Sequence, residues 1–453
     1  MAATHLIPNP SPAKSEQAAP YTIVWAVILA AAVIRLWILP LRSGFWLDET
    51  GTAWTIRGGA GEVIARSLRW PSQMPLYSLL EWAVSKVAGM HEWALRFPSL
   101  LAAGAATWML YRVAKRFLNR EAALLAAVIF ACSEPVYFAA ADARSYALGV
   151  AAMIGSSLLL LRWLERPTLA NAAGYSLAAA FMLYMHYSFG VALAVHAIWV
   201  LYCAYQGKVV KWAGLMAMAG ATILLLVPVW PHLRVLLTGG GMYGFAATPR
   251  GADLMEWFAP PVLVCALLAG LLASGLLFRR FELASPAAER NAFPMLVAWA
   301  AVPALLIYLV STFTGLKMFL PRYMLSSVPG IALLAAWAFS AIRPPQASLI
   351  AAALFAIFTV ASAGVRDYAH GGDWRQAINV VNRVSDHETP VLVRSGFVES
   401  TSMNWWEDSE RFGFLFAPLT VYPVKGNVVR LPYSFNNAAR EHLDEFVNTA
   451  QAG

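Results

Sequence analysis

Charge is scarce in this chain, although the chain is 453 residues long. Asp, Glu, Lys and Arg make up 13% of the residues, whereas a soluble globular domain carries roughly 25%. Hydrophobic residues make up 59%, and the mean hydropathy is +0.58. This composition excludes an ordinary soluble domain and predicts a protein that crosses a membrane several times.

Cysteine is scarce as well, with three residues in the whole chain. Cys132, Cys203 and Cys265 each lie inside an apolar segment, and none of them belongs to a C-x-x-C motif. The sequence therefore offers neither a disulfide framework nor a cysteine metal site.

Long apolar stretches recur along the chain, and about eleven of them are long enough to cross a bilayer roughly 30 Å thick. They lie near residues 21–41, 97–116, 121–139, 145–163, 171–185, 188–205, 212–232, 256–278, 292–312, 322–342 and 346–364. The first has no cleavage site followed by a polar mature sequence, so we expect an uncleaved anchor. Residues 1–20, rich in Pro, Ala and Ser, are expected to form a disordered cytoplasmic tail.

Basic clusters orient these spans, because Lys and Arg concentrate in cytoplasmic loops. The clusters are Arg112/Lys115/Arg116/Arg120, Arg162/Arg166, Lys208/Lys211, Arg279/Arg280/Arg290 and Arg343. All of them lie inside if the N-terminus is inside and the segment 75–89 does not cross. We therefore predict that 75–89 and roughly 50–67 are two amphipathic helices in the membrane interface, within a first outer loop at 42–96.

An odd number of spans places the C-terminus outside. The tail 365–453 is polar and mixed, with a helix expected from Asp373-Trp374-Arg375 and a strand at Pro390-Val391-Leu392-Val393. The sequence thus predicts an all-α polytopic domain over 21–364, followed by a small extracytoplasmic α/β domain. No internal repeat is evident, which weighs against a transporter built from inverted repeats.

Two adjacent carboxylates, Asp48 and Glu49, follow the first span on the predicted outer face. A helix C-terminus favours cations, and acidic groups at a membrane surface usually bind a ligand or take part in a reaction. A solvated acidic loop is the alternative. Asp142 and Arg144 share the same face, where Arg144 either serves a site or simply pairs with Asp142 or caps a helix.

Other polar residues fall in turns on the same face. His186 and Tyr187 occupy a tight turn, where a hydrogen-bonding turn residue and an interfacial aromatic are the alternatives, as the latter is for Tyr77. Three cations lie on the face that usually lacks them, and such cations suit a lipid phosphate. They are Arg96, Lys317 and Arg322.

This set of residues fits one kind of chemistry. A carboxylate can take a proton from an attacking hydroxyl, and nearby cations can stabilise a phosphate that leaves. The bilayer gives a lipid-linked donor its route, and the outer loops leave room for a polar acceptor. Transfer of a sugar from a polyprenyl phosphate requires all of these.

Six motifs occur in a characteristic order from about Tyr21 to about Ile342. They are Leu47-Asp48-Glu49, Met74-Pro75-Leu76-Tyr77, Glu92-Trp93-Ala94-Leu95-Arg96-Phe97-Pro98-Ser99, Asp142-Ala143-Arg144-Ser145-Tyr146-Ala147-Leu148, His186-Tyr187 and Pro321-Arg322-Tyr323. In this order the chain resembles the GT-C superfamily of membrane glycosyltransferases. It is most similar to the bacterial branch related to protein O-mannosyltransferases and lipid A aminoarabinose transferases. Met74 and Gln73 stand where relatives commonly have Pro and His, and Asp142 stands where Glu is common.

The resemblance implies the role of each candidate residue. Asp48 would activate the acceptor as general base, Glu49 would orient the acceptor or support Asp48, and the segment with Asp142 would complete the catalytic set. The donor phosphate would bind Arg96, Lys317 and Arg322, and the substrates would contact Tyr77, Arg144, His186 and Tyr187. Neither the motifs nor their spacing require a cofactor, although a divalent cation participates in some relatives.

The sequence therefore predicts an inverting glycosyltransferase of the bacterial inner membrane that acts on the periplasmic face. Its partners would be a polyprenyl-phosphate sugar donor, the bilayer, and an acceptor that is a lipid, a glycan or a protein, with no nucleic acid. A secondary transporter or lipid flippase is the first alternative, but it would need ionisable residues near the middle of spans. A non-catalytic membrane assembly subunit is the second.

Overall fold

The structure is a computed structural model. It describes residues 21–70, 72–238, 246–279, 283, 293–363, 372–401 and 409–434, with scattered positions from 437 to 448. The expected tail 1–20 and two members of a basic cluster, Arg280 and Arg290, lie outside the described residues.

Helices account for most of the described chain. They are α1 Thr22–Val33, α2 Leu47–Thr55, α3 Ala60–Arg69, α4 Pro75–Ala88, α5 Glu92–Ala114, α6 Arg120–Cys132, α7 Glu134–Ala140, α8 Tyr146–Glu165, α9 Leu169–Met185, α10 Val191–Tyr205, α11 Trp212–Leu226, α12 Trp230–Thr238, α13 Gly251–Phe258, α14 Pro261–Leu276, α15 Phe293–Phe313, α16 Val328–Ala341, α17 Pro345–Ser362, α18 Trp374–Val384, α19 Ser409–Leu415 and α20 Ala417–Val421. The two strands are β1 Pro390–Arg394 and β2 Asn427–Leu431, which pair in parallel. The predicted all-α polytopic architecture is confirmed.

Seven helical stretches of the described chain are long and apolar enough to cross a membrane. They are Thr22–Arg42, Tyr146–Glu165, Tyr187–Tyr205, Trp212–Arg234, Phe293–Phe313, Met324–Ala341 and Pro345–Ser362. Two bent pairs, α6 with α7 (68°) and α13 with α14 (47°), raise the number to nine if each pair is one span.

The expected count of about eleven is therefore higher than length and composition support in the described residues. The two remaining predicted spans correspond to α5 and α9. Helix α9 is apolar but has 17 residues. Helix α5 begins at Glu92, before the predicted span, so its first turns also include the charged Arg96.

The described chain divides into two compact units. The first unit contains the described residues up to Leu41, from Arg96 to Leu237, and from Ala246 to Tyr368. Small residues allow its helices to approach closely. At Gly330 in α16, an added Cβ would lie 2.2 Å from the backbone nitrogen of Ala300 in α15.

The second unit contains the first outer loop, Arg42–Leu95, and the described residues of the tail from Ala369 onward. The helix expected from Asp373 and the strand expected from Pro390 are both confirmed. The expected helix at 50–67 is instead two helices, α2 and α3. They are separated at Gly58, whose φ of +90° favours glycine, so the loop holds three helices rather than two.

Candidate active site

The candidate residues are distributed over both units. Asp48, Glu49 and Tyr77 belong to the second unit, and the other candidates belong to the first.

The acidic pair lies in the first turn of α2, not at the end of the preceding helix. The Glu49 carboxylate accepts a hydrogen bond from the backbone nitrogen of Trp46 at 3.2 Å, which is half of a capping box. Anions are stabilised at a helix N-terminus, so the premise that these carboxylates oppose their helix end is corrected. Glu49 is completely buried, whereas Asp48 keeps part of its surface accessible.

The tail fixes the chain just before the acidic pair. The Asp373 carboxylate accepts the backbone N–H of Gly44 at 2.9 Å, and the Tyr422 hydroxyl accepts that of Phe45 at 2.9 Å. The same hydroxyl donates to Glu92 at 2.7 Å, which also pairs with a tail arginine. These bonds link residues more than 280 positions apart, and they hold the backbone that leads into α2.

Helix α4 supplies a third carboxylate that the sequence did not single out. Tyr77 and Glu81 are both buried (2% and 0% exposed) and lie four residues apart on one face of α4. Burial raises the pKa of Glu81 to about 8. The nearby Tyr77 hydroxyl opposes this rise, and the Glu49 charge adds to it. Glu81 is therefore predominantly protonated at neutral pH.

Glu81 was not predicted as a site residue, because in the sequence it is only a charge that argues against a membrane crossing by the segment 75–89. The spacing of four residues from Tyr77 was the available signal, since such positions share a helix face. Burial on that face depends on tertiary packing, which the spacing alone does not reveal.

In the first unit, an aromatic cluster surrounds His186 in the turn between α9 and α10. The imidazole ring lies 5.1 Å from the Tyr323 ring, nearly stacked on it, and 5.3 Å from the Tyr146 ring. The backbone N–H of Ser188 donates to the Nδ1 of His186 at 3.2 Å. In the neutral ring this leaves Nε2 as the N–H donor.

Two candidate arginines act on this histidine. Burial lowers the pKa of His186 far below its ordinary value, and the charges of Arg144 and Arg322, together with His232, lower it further. The Arg322 guanidinium lies 5.3 Å from the centre of the Tyr323 ring. The cluster thus combines positive charge with a neutral donor and aromatic faces, which suits a phosphate group linked to a sugar.

His232 is a second residue that the sequence missed. It is completely buried on α12, and its Nδ1 lies 2.7 Å from the Tyr187 hydroxyl. This contact gives Tyr187 a fixed partner within the first unit. A histidine at the end of a predicted span was the available signal, but its partner is 45 positions away.

Asp142 and Arg144 lie in the turn between α7 and α8. Asp142 is 0% exposed and Arg144 is 8% exposed. The backbone carbonyl of Arg144 accepts the Ser99 hydroxyl at 3.2 Å, which fixes the turn to the start of α5. Arg144 therefore contributes to the positive charge around His186 from a buried, anchored position.

The other two candidate cations bind the carbonyl ends of helices. The buried Arg96 guanidinium donates to the carbonyls of Pro40 and Leu41, at 3.0 and 3.1 Å, where the first span ends. The Lys317 ammonium donates to the carbonyls of Ser311 and Thr314 at 2.9 and 3.2 Å, where α15 ends. Cations stabilise helix C-termini, so both have structural contacts that a phosphate would have to share.

Within the part of the chain that the structure describes, no group of three or more His, Cys, Asp or Glu side chains could hold a metal ion. A divalent cation accordingly stays a prediction.

Residues 71–233 match the model of a protein family described as dolichyl-phosphate-mannose-protein mannosyltransferase. This stretch contains Tyr77, Arg96, Asp142, His186 and His232, and it begins after the acidic pair. A comparison with curated protein sequences gives no significant match.

Two solved structures of ArnT from Cupriavidus metallidurans share the fold. The apo structure has a TM-score of 0.52 at 14% identity, covering 89% of this chain and 86% of ArnT. The structure bound to undecaprenyl phosphate has a TM-score of 0.54 at 14% identity, covering 90% of each chain. The family match and the shared fold confirm the resemblance to the GT-C superfamily and indicate a membrane glycosyltransferase.

Proposed function

We propose that this protein transfers a sugar from a polyprenyl-phosphate donor to an acceptor hydroxyl, with Asp48 as general base. The difference between the two adjacent carboxylates carries this proposal. Glu49 is buried and bound to the backbone that opens α2, whereas Asp48 keeps accessible surface beside it. Asp48 is thus suited to meet a substrate, and Glu49 is suited to orient the helix that carries Asp48.

In the proposed reaction, Asp48 takes the proton of the acceptor hydroxyl as that oxygen attacks the anomeric carbon. The bond between this carbon and the phosphate oxygen breaks, and polyprenyl phosphate leaves with the bonding electron pair. A single displacement inverts the anomeric configuration. ArnT, which has the same fold, binds undecaprenyl phosphate, and this supports a polyprenyl donor here.

We propose that Arg322 and Arg144, with the Nε2–H of neutral His186, bind the leaving phosphate. Arginine offers a planar pair of donors that matches phosphate oxygens. Tyr146 and Tyr323 beside His186 give the sugar ring an aromatic surface. Arg96 and Lys317 take a lesser part in this proposal, because their donors already bind helix carbonyls.

The proposal includes a multi-pass location in the bacterial inner membrane with the reaction on the periplasmic face. The positive charge of the opposite loops supports this orientation. The acceptor is a lipid, a glycan or a protein, and mass spectrometry of the product would identify the donor sugar.

The test compares surface glycans and lipids by mass spectrometry in cells with and without the protein. Asp48→Asn should abolish the sugar-bearing product, because removing a general base costs about 10²–10⁴ in rate. Glu62→Gln, an exposed carboxylate in the same unit, is the matched control and should retain the product. Full transfer by correctly folded Asp48→Asn protein would overturn the proposal.

A further inference from the structure

A cavity in the first unit takes no part in the reaction proposed above. It lies at the ends of α6 and α16 opposite to the turns that hold Asp142 and Tyr323, on the predicted cytoplasmic side. It is partly open to its surroundings. Its polar lining residues are Tyr21, Asn119, Glu121, Ser340, Arg343 and Ser348.

The cavity contains one charge of each sign. Glu121 and Arg343 are both partly buried, and no ion pair joins either of them to another described residue. A ligand with an anionic and a cationic group would complement both residues at once.

Three helices begin at the wall of this cavity. Tyr21 precedes α1, Asn119 caps α6, and Pro345 opens α17. Each helix has at least 12 residues, and each presents the positive end of its dipole. Helix N-termini commonly bind phosphate, so the anionic group that best fits beside Arg343 is a phosphate.

The position of the cavity relative to the membrane spans indicates where such a ligand comes from. The spans Thr22–Arg42 and Pro345–Ser362 both start at its wall, which is the level of lipid headgroups. Tyr21 and the buried Trp25 line it, and both are residue types that concentrate at the membrane interface. A phospholipid can therefore present its headgroup here while its acyl chains remain in the bilayer.

We propose that this cavity binds the headgroup of a phospholipid that carries a primary amine. The phosphate would lie beside Arg343 and the three helix ends, and the ammonium would donate hydrogen bonds to Glu121. Choline lipids lack N–H donors, and glycerol headgroups lack the cation, so both should bind more weakly. The proposal does not depend on the transferase reaction.

Native mass spectrometry of the purified full chain in detergent tests this site. The probes are phosphatidylethanolamine, phosphatidylcholine and phosphatidylglycerol with identical acyl chains. We expect ethanolamine lipid to be retained about tenfold better than the others, the effect of one charge-assisted hydrogen bond. Soluble glycerophosphoethanolamine as competitor shows whether the headgroup alone is sufficient or the acyl chains are also needed.

Two charge variants and one steric variant separate the contributions. Arg343→Gln should weaken all three lipids, and Glu121→Gln should remove only the preference for ethanolamine lipid. Ser348→Met should block the cavity without changing its charge. Arg120→Gln removes an exposed cation that is adjacent in sequence and outside the lining, so it should behave like wild type.

Two results would overturn the proposal. One is equal retention of the three lipids by the wild-type protein. The other is retention by Arg343→Gln, Glu121→Gln and Ser348→Met that equals that of Arg120→Gln. Thermal unfolding in the same detergent identifies any variant that fails to fold, and the remaining variants then decide the outcome.

Discussion

Replacing Glu81 by Gln should make the protein more stable at alkaline pH and leave it almost unchanged at acidic pH. The pKa of this buried carboxyl rises from 4.5 to about 8 on folding, chiefly because burial disfavours its charged form. Gln has nearly the shape of the protonated acid and cannot ionise. The substitution therefore removes the cost of either protonating or burying a charge at this position.

The sign follows from proton binding. Between pH 4.5 and 8 the folded chain keeps the Glu81 proton while the unfolded chain has lost it, so stability falls as pH rises. The contribution of Glu81 is fully present below about pH 4.5 and is lost as the pH passes about 8. Each pKa unit corresponds to about 1.4 kcal/mol, which gives a total loss on the order of 5 kcal/mol.

Thermal unfolding in detergent between pH 5 and pH 8.5 measures this effect. The difference in the free energy of unfolding between Glu81→Gln and wild type should be below about 1 kcal/mol at pH 5 and grow to several kcal/mol at pH 8. Glu62→Gln removes an exposed carboxylate from α3 and should give a difference that does not change with pH. A difference for Glu81→Gln that is constant from pH 5 to pH 8.5 would refute the reasoning.

Two further substitutions test contacts that position the site. Arg96→Met leaves two buried carbonyls at the end of the first span without a hydrogen-bond donor. We expect a loss of about 1–3 kcal/mol of stability for each carbonyl, seen as a lower unfolding temperature. Unchanged stability with weaker binding of the polyprenyl-phosphate sugar would instead support the phosphate role. Asp373→Ala removes the cap of α18 and the hydrogen bond to Gly44. We therefore expect the free energy of unfolding to fall by about 1 kcal/mol and the first outer loop to be cleaved faster by a protease. An unchanged cleavage rate would show that this bond does not fix the loop.

Local sequence was sufficient for much of the fold. Apolar runs long enough for a bilayer are visible without knowledge of their neighbours, and most predicted spans match observed helices within a few residues. The helix at Trp374 was also predictable, because Asp373 is a favoured N-cap residue and its carboxylate accepts the N–H of Gln376.

The start of α2 was not predictable in the same way. Trp46 precedes this helix, and tryptophan is not a usual N-cap residue. The signal was Glu49 at the third helical position, which bonds back to Trp46, but without a capping side chain the pattern is incomplete. Carbonyl capping by Arg96 could not be seen in the local sequence either, because it joins residues 55 or more positions apart. Lys317, in contrast, caps the end of a helix that lies only a few residues before it.

The carboxylates of the second unit now form a consistent electrostatic arrangement. Asp48 and Glu49 occupy a helix N-terminus, where the backbone stabilises negative charge. Glu81 interacts with Glu49 but is buried, so a third ionised carboxylate would add repulsion that no helix end offsets. Retaining the proton on Glu81 avoids this repulsion. Of the two carboxylates that open α2, Asp48 keeps the accessible surface that a general base requires.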